Sequence, residues 1–197
     1  RGEMVCDFCA GAGGKTLAIG AMMASTGRLY AFDVAEKRLA NLKPRLARSG
    51  LSNVMPQLIA SENDTRVKRL AGKLDRVLVD APCSGLGTLR RNPDLKFRQS
   101  PDSVTELTRK QAAILRAAAK LLKPGGRLVY ATCSLLPEEN EAIVETLLAE
   151  GGFTLLPVNE LLAQHKIDLD TGSMLKLSPA LHGTDGFFAV VLVKTAA

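Results

Sequence analysis

Arg76-Val77-Leu78-Val79-Asp80-Ala81-Pro82-Cys83-Ser84-Gly85 is an apolar run broken in succession by an acid, a proline and a thiol. Its first half has the branched, apolar character of a buried strand, and proline, serine and glycine are residues that punctuate a chain. The segment predicts a strand whose end carries reactive groups. A second run, Arg127-Leu128-Val129-Tyr130-Ala131, ends alike in Thr132-Cys133-Ser134. In a common sheet the two thiols would share one edge.

Outward from these runs the chain alternates. Residues 4–8 predict a strand, the loop Cys9-Ala10-Gly11-Ala12-Gly13-Gly14-Lys15-Thr16 a turn, and residues 17–23 a helix. Residues 28–32 predict a second strand ending in Asp33. Leu39, Leu42 and Leu46 have helical spacing within residues 35–48, where Pro44 is expected to shorten or kink the helix. Residues 54–59 and 75–79 read as strands around a short helix at 67–72. Residues 86–100 carry Arg90, Arg91, Lys96 and Arg98 without periodicity and predict a basic surface loop. The longest helix spans 103–122 and is closed by Lys123-Pro124-Gly125-Gly126, ahead of a strand at 127–131. Pro137-Glu138-Glu139 opens a helix to about residue 150. Residues 153–158 and 187–193 are the last two strands, and residues 159–185 carry no pattern that assigns them.

Strands that alternate with crossover helices pair in parallel, and such sheets bind ligands beyond their carboxyl ends. The expected fold is α/β, a mostly parallel seven-stranded sheet with helices on both faces. The glycine loop, Asp33, Asp64, Asp80 and the Thr132 segment all fall at the binding edge.

A chain of 197 residues with 46% hydrophobic against 23% charged residues has material for one core and excludes disorder, so one domain over residues 1–197 is expected. No apolar run approaches the roughly 20 residues that cross a bilayer. With no leader either, a cytoplasmic, monomeric protein without membrane contact is expected. Arg1-Gly2-Glu3 stands directly before a strand without an initiator methionine, which suggests the C-terminal part of a longer chain. A net charge of +6 and a pI near 9.3 suit an acidic partner such as nucleic acid, although many enzymes are mildly basic without one. Cysteines 6, 9, 83 and 133 do not form a secreted disulfide frame and are expected to be reduced.

The loop from Cys9 to Lys15 has an ordinary reading as a tight strand-to-helix turn. A phosphate-binding loop needs glycine where this chain has Cys9, and the dinucleotide pattern needs glycine where Thr16 stands. Close backbone approach to a ligand remains. Asp33, about 20 residues on, is placed to accept hydrogen bonds from a ribose, so an adenosine-containing ligand fits. Asp64 would lie near the adenine, with Asn63 as competitor and a solvated loop as the alternative. Lys15 is either solvated or paired with a carboxylate of the site. The four bases of 86–100 are either solvated or phosphate contacts. Cys6-x-x-Cys9 lacks a second pair, and His165 and His182 lack ligand spacing, so no metal is expected and Cys6 is assigned to the core.

These segments together resemble the catalytic domain of the NOL/NOP/Sun family of RNA cytosine-5 methyltransferases, of the bacterial RsmB type. The resemblance covers nearly the whole chain. It is carried by Asp7-Phe8-Cys9-Ala10-Gly11-Ala12-Gly13-Gly14-Lys15-Thr16, Asp80-Ala81-Pro82-Cys83-Ser84-Gly85, Arg90-Arg91-Asn92-Pro93-Asp94, Thr132-Cys133-Ser134, Pro137-Glu138-Glu139-Asn140 and Asp185-Gly186-Phe187-Phe188. The family usually has proline where Ala12 stands. The resemblance implies a Rossmann-like class I methyltransferase fold and S-adenosyl-L-methionine held by Cys9, Ala10, Gly11, Ala12, Gly13, Gly14, Lys15, Asp33, Asp64 and Asp80. It implies Cys133 as nucleophile, Cys83 in release, Asp80 as the charge-relieving group, and RNA as partner, ribosomal RNA of the small subunit first and transfer RNA second. Spacing alone leaves open which thiol attacks, because DNA cytosine-5 enzymes use the cysteine of a Pro-Cys segment.

Two other functions compete. An amino-group methyltransferase would carry an aromatic after its Asp/Asn-Pro-Pro segment, where this chain has Asp80-Ala81-Pro82-Cys83. A non-catalytic RNA-binding module would explain the charge and leave both thiols idle. Affinity for S-adenosylmethionine separates it from an enzyme.

Overall fold

Short apolar strands joined by crossovers have one economical arrangement, a parallel sheet covered on both faces. The computed structural model describes residues 2–196; Arg1 and Ala197 of the expected 1–197 unit lie outside it. The first half contains β1 (Met4–Asp7), α1 (Gly14–Met23), β2 (Arg28–Asp33), α2 (Glu36–Ser49), β3 (Val54–Leu58), α3 (Thr65–Lys68) and β4 (Leu74–Asp80). Then follow α4 (Leu95–Arg98), α5 (Pro101–Leu121), β5 (Leu122–Thr132), α6 (Glu141–Ala149) and β6 (Phe153–Leu156). The chain continues through α7 (Val158–Gln164), β7 (Leu175–Leu177), α8 (Pro179–His182) and β8 (Phe187–Lys194).

The strand order is β3-β2-β1-β4-β5-β8-β6, with β7 also paired to β8. The strands β1 to β5 are mutually parallel, and β8 enters antiparallel between β5 and β6. All seven expected strands are present. The three-residue β7 is an addition, pairing with the start of β8 while β6 pairs with its end. Order reverses between β1 and β4, the place where a crevice opens beyond the strand ends.

Alternation along the strands sorts the core. Val5, Leu29 and Ala31 pack with Met23, Leu39 and Leu42 of α1 and α2, whereas Cys6, Phe32, Val77, Val79, Leu128 and Tyr130 pack under α5 and α6. Cys6 is fully buried, as its assignment to the core required.

Several expected boundaries move for local reasons. The helix over Pro44 is uninterrupted from Glu36 to Ser49. The helix expected at 67–72 starts earlier, at Thr65, because the Asp64 carboxylate caps it by accepting from Arg66 N–H at 2.8 Å. Lys123-Pro124-Gly125-Gly126 belongs to β5 as a bulge, between the pairings Leu74 with Leu122 and Arg76 with Arg127. The loop expected at 86–100 contains a 3₁₀ turn at Leu86–Thr88 and the one-turn α4, both too short to show periodicity. The helix expected from Pro137 is split: a 3₁₀ turn, Pro137–Glu139, precedes α6, with Asn140 at φ −110° and ψ −97° between them. No helix among the described residues is long and apolar enough to cross a membrane.

Leu115 of α5 is 1% exposed in the centre of the larger core. Leu115→Ala is expected to lower the unfolding free energy by about 3 kcal/mol, measured by urea denaturation.

Candidate active site

A cavity of about 760 Å³ opens at the carboxyl ends of β1, β2 and β4. The loop after β1 forms its floor. Ala10 N–H donates to Phe32 O at 2.8 Å and Gly13 N–H to Ala10 O at 2.9 Å, which curls the loop against β2. Gly13 has φ +87°, and a Cβ there would lie 2.1 Å from Leu42 Cδ1, so close packing of α1 on α2 requires glycine. Thr16, fully buried, donates from its hydroxyl to Asp7 Oδ2 at 2.6 Å.

Asp33 is 4% exposed and faces the cavity. Its oxygens accept from Gly11 N–H at 2.8 Å and Ala35 N–H at 2.7 Å, one bond each, which holds the carboxylate in place with lone pairs to spare. Asp80, the last residue of β4, is bound by Lys15 Nζ at 2.6 Å. Of the two readings of Lys15, the paired one is what the structure contains.

Beyond Asp80 the two thiols meet. Cys83 Sγ and Cys133 Sγ are 3.4 Å apart, and both line the cavity. Parallel pairing explains the meeting: Asp80 lies opposite Ala131, and Ala81 N–H donates to Ala131 O at 2.8 Å, so the chains leave the sheet side by side. The pair is electrostatically unequal. A hydrogen bond from the Cys83 thiol pulls Cys133 down to about 7 against burial and Asp80, and the same bond, with burial, drives Cys83 far up. Burial also lifts the Asp7 carboxyl to about 6, with its Oδ1 unpartnered among the described residues.

The structure thus brings together Cys9, Ala10, Gly11, Ala12, Gly14, Lys15, Asp33, Asp80, Cys83 and Cys133 around one cavity. Gly13 supports the loop from behind without lining it. Asp64 is not among the residues that line it; its oxygens accept from Ala60 N–H, at 2.9 Å, and from Arg66 N–H, which ties it to the start of α3. Glu62 lines the cavity instead, and Asn63 turns its amide to Glu62. Apolar walls come from Ile59 and Ile114, which the sequence reading did not single out. Strand-end position alone would have suggested Ile59; nothing in the sequence marks Ile114.

The basic segment forms a ledge beside the thiols. Leu95 of α4 packs at Gly85, and Gln99 Nε2 donates to Ser84 O at 2.9 Å. Arg91 is paired with Asp185 and Arg98 with Asp94, while Arg90 donates to Gly183 O at 3.0 Å. Lys96 lies over the ring of Phe97, which is 82% exposed. None of the four bases lines the cavity. Among the described residues no group of three or more metal-ligating side chains is present.

A SAM dependent methyltransferase from Aquifex aeolicus, 17% identical, superposes with TM-score 0.61 over 99% of this chain and 84% of that one, a likeness of fold alone. NSun6 from Pyrococcus horikoshii, solved with SFG, is 29% identical with TM-score 0.83, over 99% of this chain and 48% of that one. The architecture is the Rossmann-like fold of S-adenosylmethionine-dependent methyltransferases. Residues 1–193 match the family described as 16S rRNA methyltransferase RsmB/F, and the chain belongs to that family. The probable ribosomal RNA small subunit methyltransferase B of Synechocystis sp. is 41% identical over 98% of this chain and 43% of that protein. Ribosomal RNA small subunit methyltransferase F of Aliivibrio salmonicida is 35% identical over 99% of this chain and 41% of that protein. The chain spans less than half the length of these relatives.

Gly87 joins the ledge to the thiols: its N–H donates to Cys133 O at 2.9 Å and its carbonyl accepts from Gly186 N–H at 2.7 Å. A Cβ there would lie 2.3 Å from Gly186 O and 2.7 Å from Cys133 O. Gly87→Ala is expected to cost about 2 kcal/mol by overpacking, read by urea denaturation, and to change the reactivity of Cys133 toward iodoacetamide.

Proposed function

We propose that this chain is the catalytic domain of an S-adenosylmethionine-dependent RNA methyltransferase forming 5-methylcytosine through a covalent cysteine adduct, with small-subunit ribosomal RNA as substrate. The observation that carries the reading is the 3.4 Å approach of Cys83 and Cys133 on the wall of a cavity whose far side holds Asp33. The names of the RsmB/F relatives support the substrate class.

The cavity fits the cofactor. Asp33 has acceptor capacity left for a ribose diol, the Cys9–Lys15 loop offers close backbone approach, and Ile59 with Ile114 gives apolar walls for a flat ring. Asp7 supplies a buried carboxyl with an unpartnered oxygen at the same wall, suited to a positively charged group. Glu62, which lines the cavity where Asp64 does not, takes the role expected of Asp64. S-adenosylmethionine supplies a methyl group carried on a sulfonium.

Carbon 5 of cytosine is a poor nucleophile until a thiolate adds to carbon 6. Cys133 supplies that thiolate, because the Cys83 hydrogen bond favours its ionised form. The new sulfur–carbon bond pushes electrons through the ring toward nitrogen 3, which takes a proton from water and holds it against Asp80, itself oriented by Lys15, and returns it to water when the thiol is expelled. Carbon 5, now enamine-like, takes the methyl group. Once Cys133 is bonded to carbon, the main cause of the raised Cys83 value is gone. Cys83 then gives its proton to water, accepts the proton from carbon 5, and the electrons of that carbon–hydrogen bond form the carbon 5–carbon 6 double bond and expel the Cys133 thiolate. Arg90, Arg91, Lys96 and Arg98 hold phosphates on the ledge, with Arg91 and Arg98 exchanging Asp185 and Asp94 for RNA.

Cys133→Ala is expected to abolish methylation, and Cys83→Ala to leave a protein–RNA adduct that survives denaturing gel electrophoresis; an adduct with Cys133→Ala instead would exchange the two roles. The single-turnover rate is expected to fall about tenfold per pH unit below about 7 and to level off above it, since only the ionised Cys133 attacks. A break near the ordinary thiol value of about 8.5 would show that Cys83 does not assist.

A further inference from the structure

Glu139 takes no part in the reaction above, yet it is 0% exposed and has no cation paired with it among the described residues. Such burial of a carboxylate is costly unless its lone pairs are filled. Here they are filled from both thiol-bearing segments. Oε1 accepts from Ser84 N–H at 2.8 Å and from Gln111 Nε2 at 2.9 Å; Oε2 accepts from the hydroxyls of Ser84, at 2.5 Å, and Ser134. Ser84 follows Cys83, and Ser134 follows Cys133.

The surroundings fix the same geometry. Gln111 Nε2 also donates to Pro82 O at 2.9 Å, one residue before Cys83. Tyr130 donates from its hydroxyl to Glu139 O at 2.7 Å. Asn140 accepts from Thr132 Oγ1 at 2.5 Å and donates to Ser134 O at 3.1 Å, bracketing Cys133. These bonds draw residues 139 and 140 inward and account for the broken helix between Pro137 and α6. Both oxygens of the Glu139 side chain thus act as acceptors, two donors to each.

We infer that Glu139 is the positioning residue of the dithiol: by binding Ser84 and Ser134 on one carboxylate it holds Cys83 and Cys133 at hydrogen-bonding distance. The inference rests on the proposed role of the two thiols, but not on which RNA or base they meet. The charged and titratable groups facing Cys133 are Cys83, Asp80 at the end of β4, Lys15 of α1 and, farther out, Arg91 of the ledge. None of these touches Glu139, so a change at Glu139 reaches Cys133 through the geometry of the clamp and through loss of the carboxylate's own charge; that loss alone would lower the Cys133 midpoint, so a rise reports geometry.

The test is site-resolved alkylation of Cys133 by iodoacetamide against pH, on the protein without RNA or cofactor. In Glu139→Gln one acceptor oxygen becomes an amide donor, and the two serine hydroxyls lose their shared partner. The Cys133 midpoint is expected to rise by about 1 pH unit, a tenfold loss of thiolate at a given pH. Cys83→Ala should raise it as well, and the double variant should show no further rise, because the geometric effect of Glu139 acts through Cys83. A folded Glu139→Gln with an unmoved midpoint, or a further rise in the double variant, overturns the inference. Should Glu139→Gln not fold, Ser84→Ala and Ser134→Ala each remove one arm. Smaller rises in both support the clamp, and unmoved midpoints in both overturn it. Alkylation as expected from a protein that forms no 5-methylcytosine would sink the proposed reaction and leave the clamp standing.

Discussion

The pairing of β4 with β5 is the constraint on which the site depends. Strands in parallel register end at the same level, and the residues just past their ends must leave the sheet together. Val79 opposite Tyr130 and Asp80 opposite Ala131 therefore fix where residues 50 positions apart in the chain emerge. A shift of one residue would turn every side chain of one strand to the opposite face and separate the sulfurs. The register is protected by burial: Val77, Val79, Leu128 and Tyr130 all lie on the face packed under α5 and α6, and a slip would carry one strand's pair out of that core.

Around that pairing the rim is divided in two. On the β1 and β2 side, backbone N–H groups and Asp33 form a rigid pocket in which most polar contacts are already made within the protein. On the β4 and β5 side, side chains of Lys15, Asp80, Cys83 and Cys133 meet with few backbone partners, and their charges act on one another. The first half is suited to recognition of a fixed shape and the second to moving protons. Lys15 bridges the halves, since its backbone lies in the first turn of α1 and its side chain ends on Asp80.

Much of this was legible in the sequence because it follows from short-range pattern. Apolar runs that end in Asp, Cys or Gly marked the strands and put the reactive residues at their ends. What escaped was either too short for periodicity or decided by contacts distant in sequence. The one-turn α4 and three-residue β7 belong to the first kind. Asp64 belongs to the second: as an acid after β3 it looked like a ligand contact, whereas in the fold it caps α3 and Glu62 lines the cavity. Glu139 read as an ordinary first-turn carboxylate, and only the folded chain brings Ser84, Gln111 and Ser134 to it. Arg91 and Arg98 counted as free charge in the sequence, whereas each has an internal carboxylate.

The antiparallel entry of β8 between β5 and β6 sets an order of events during synthesis. The strand begins at the rim, so Asp185 and Gly186, just before it, reach Arg91 and Gly87 beside the thiols. Until the ribosome has made residues 185–194, β5 has an open edge, β6 has no neighbour, and the backbone chain from Gly186 through Gly87 to Cys133 is incomplete. The strands β1 to β5 can pair without this segment, whereas β6 and β7 join the sheet only through β8. The contact is non-local, as is the pairing of β1 with β4, and until it forms the outer edge of β5 is open to mispairing.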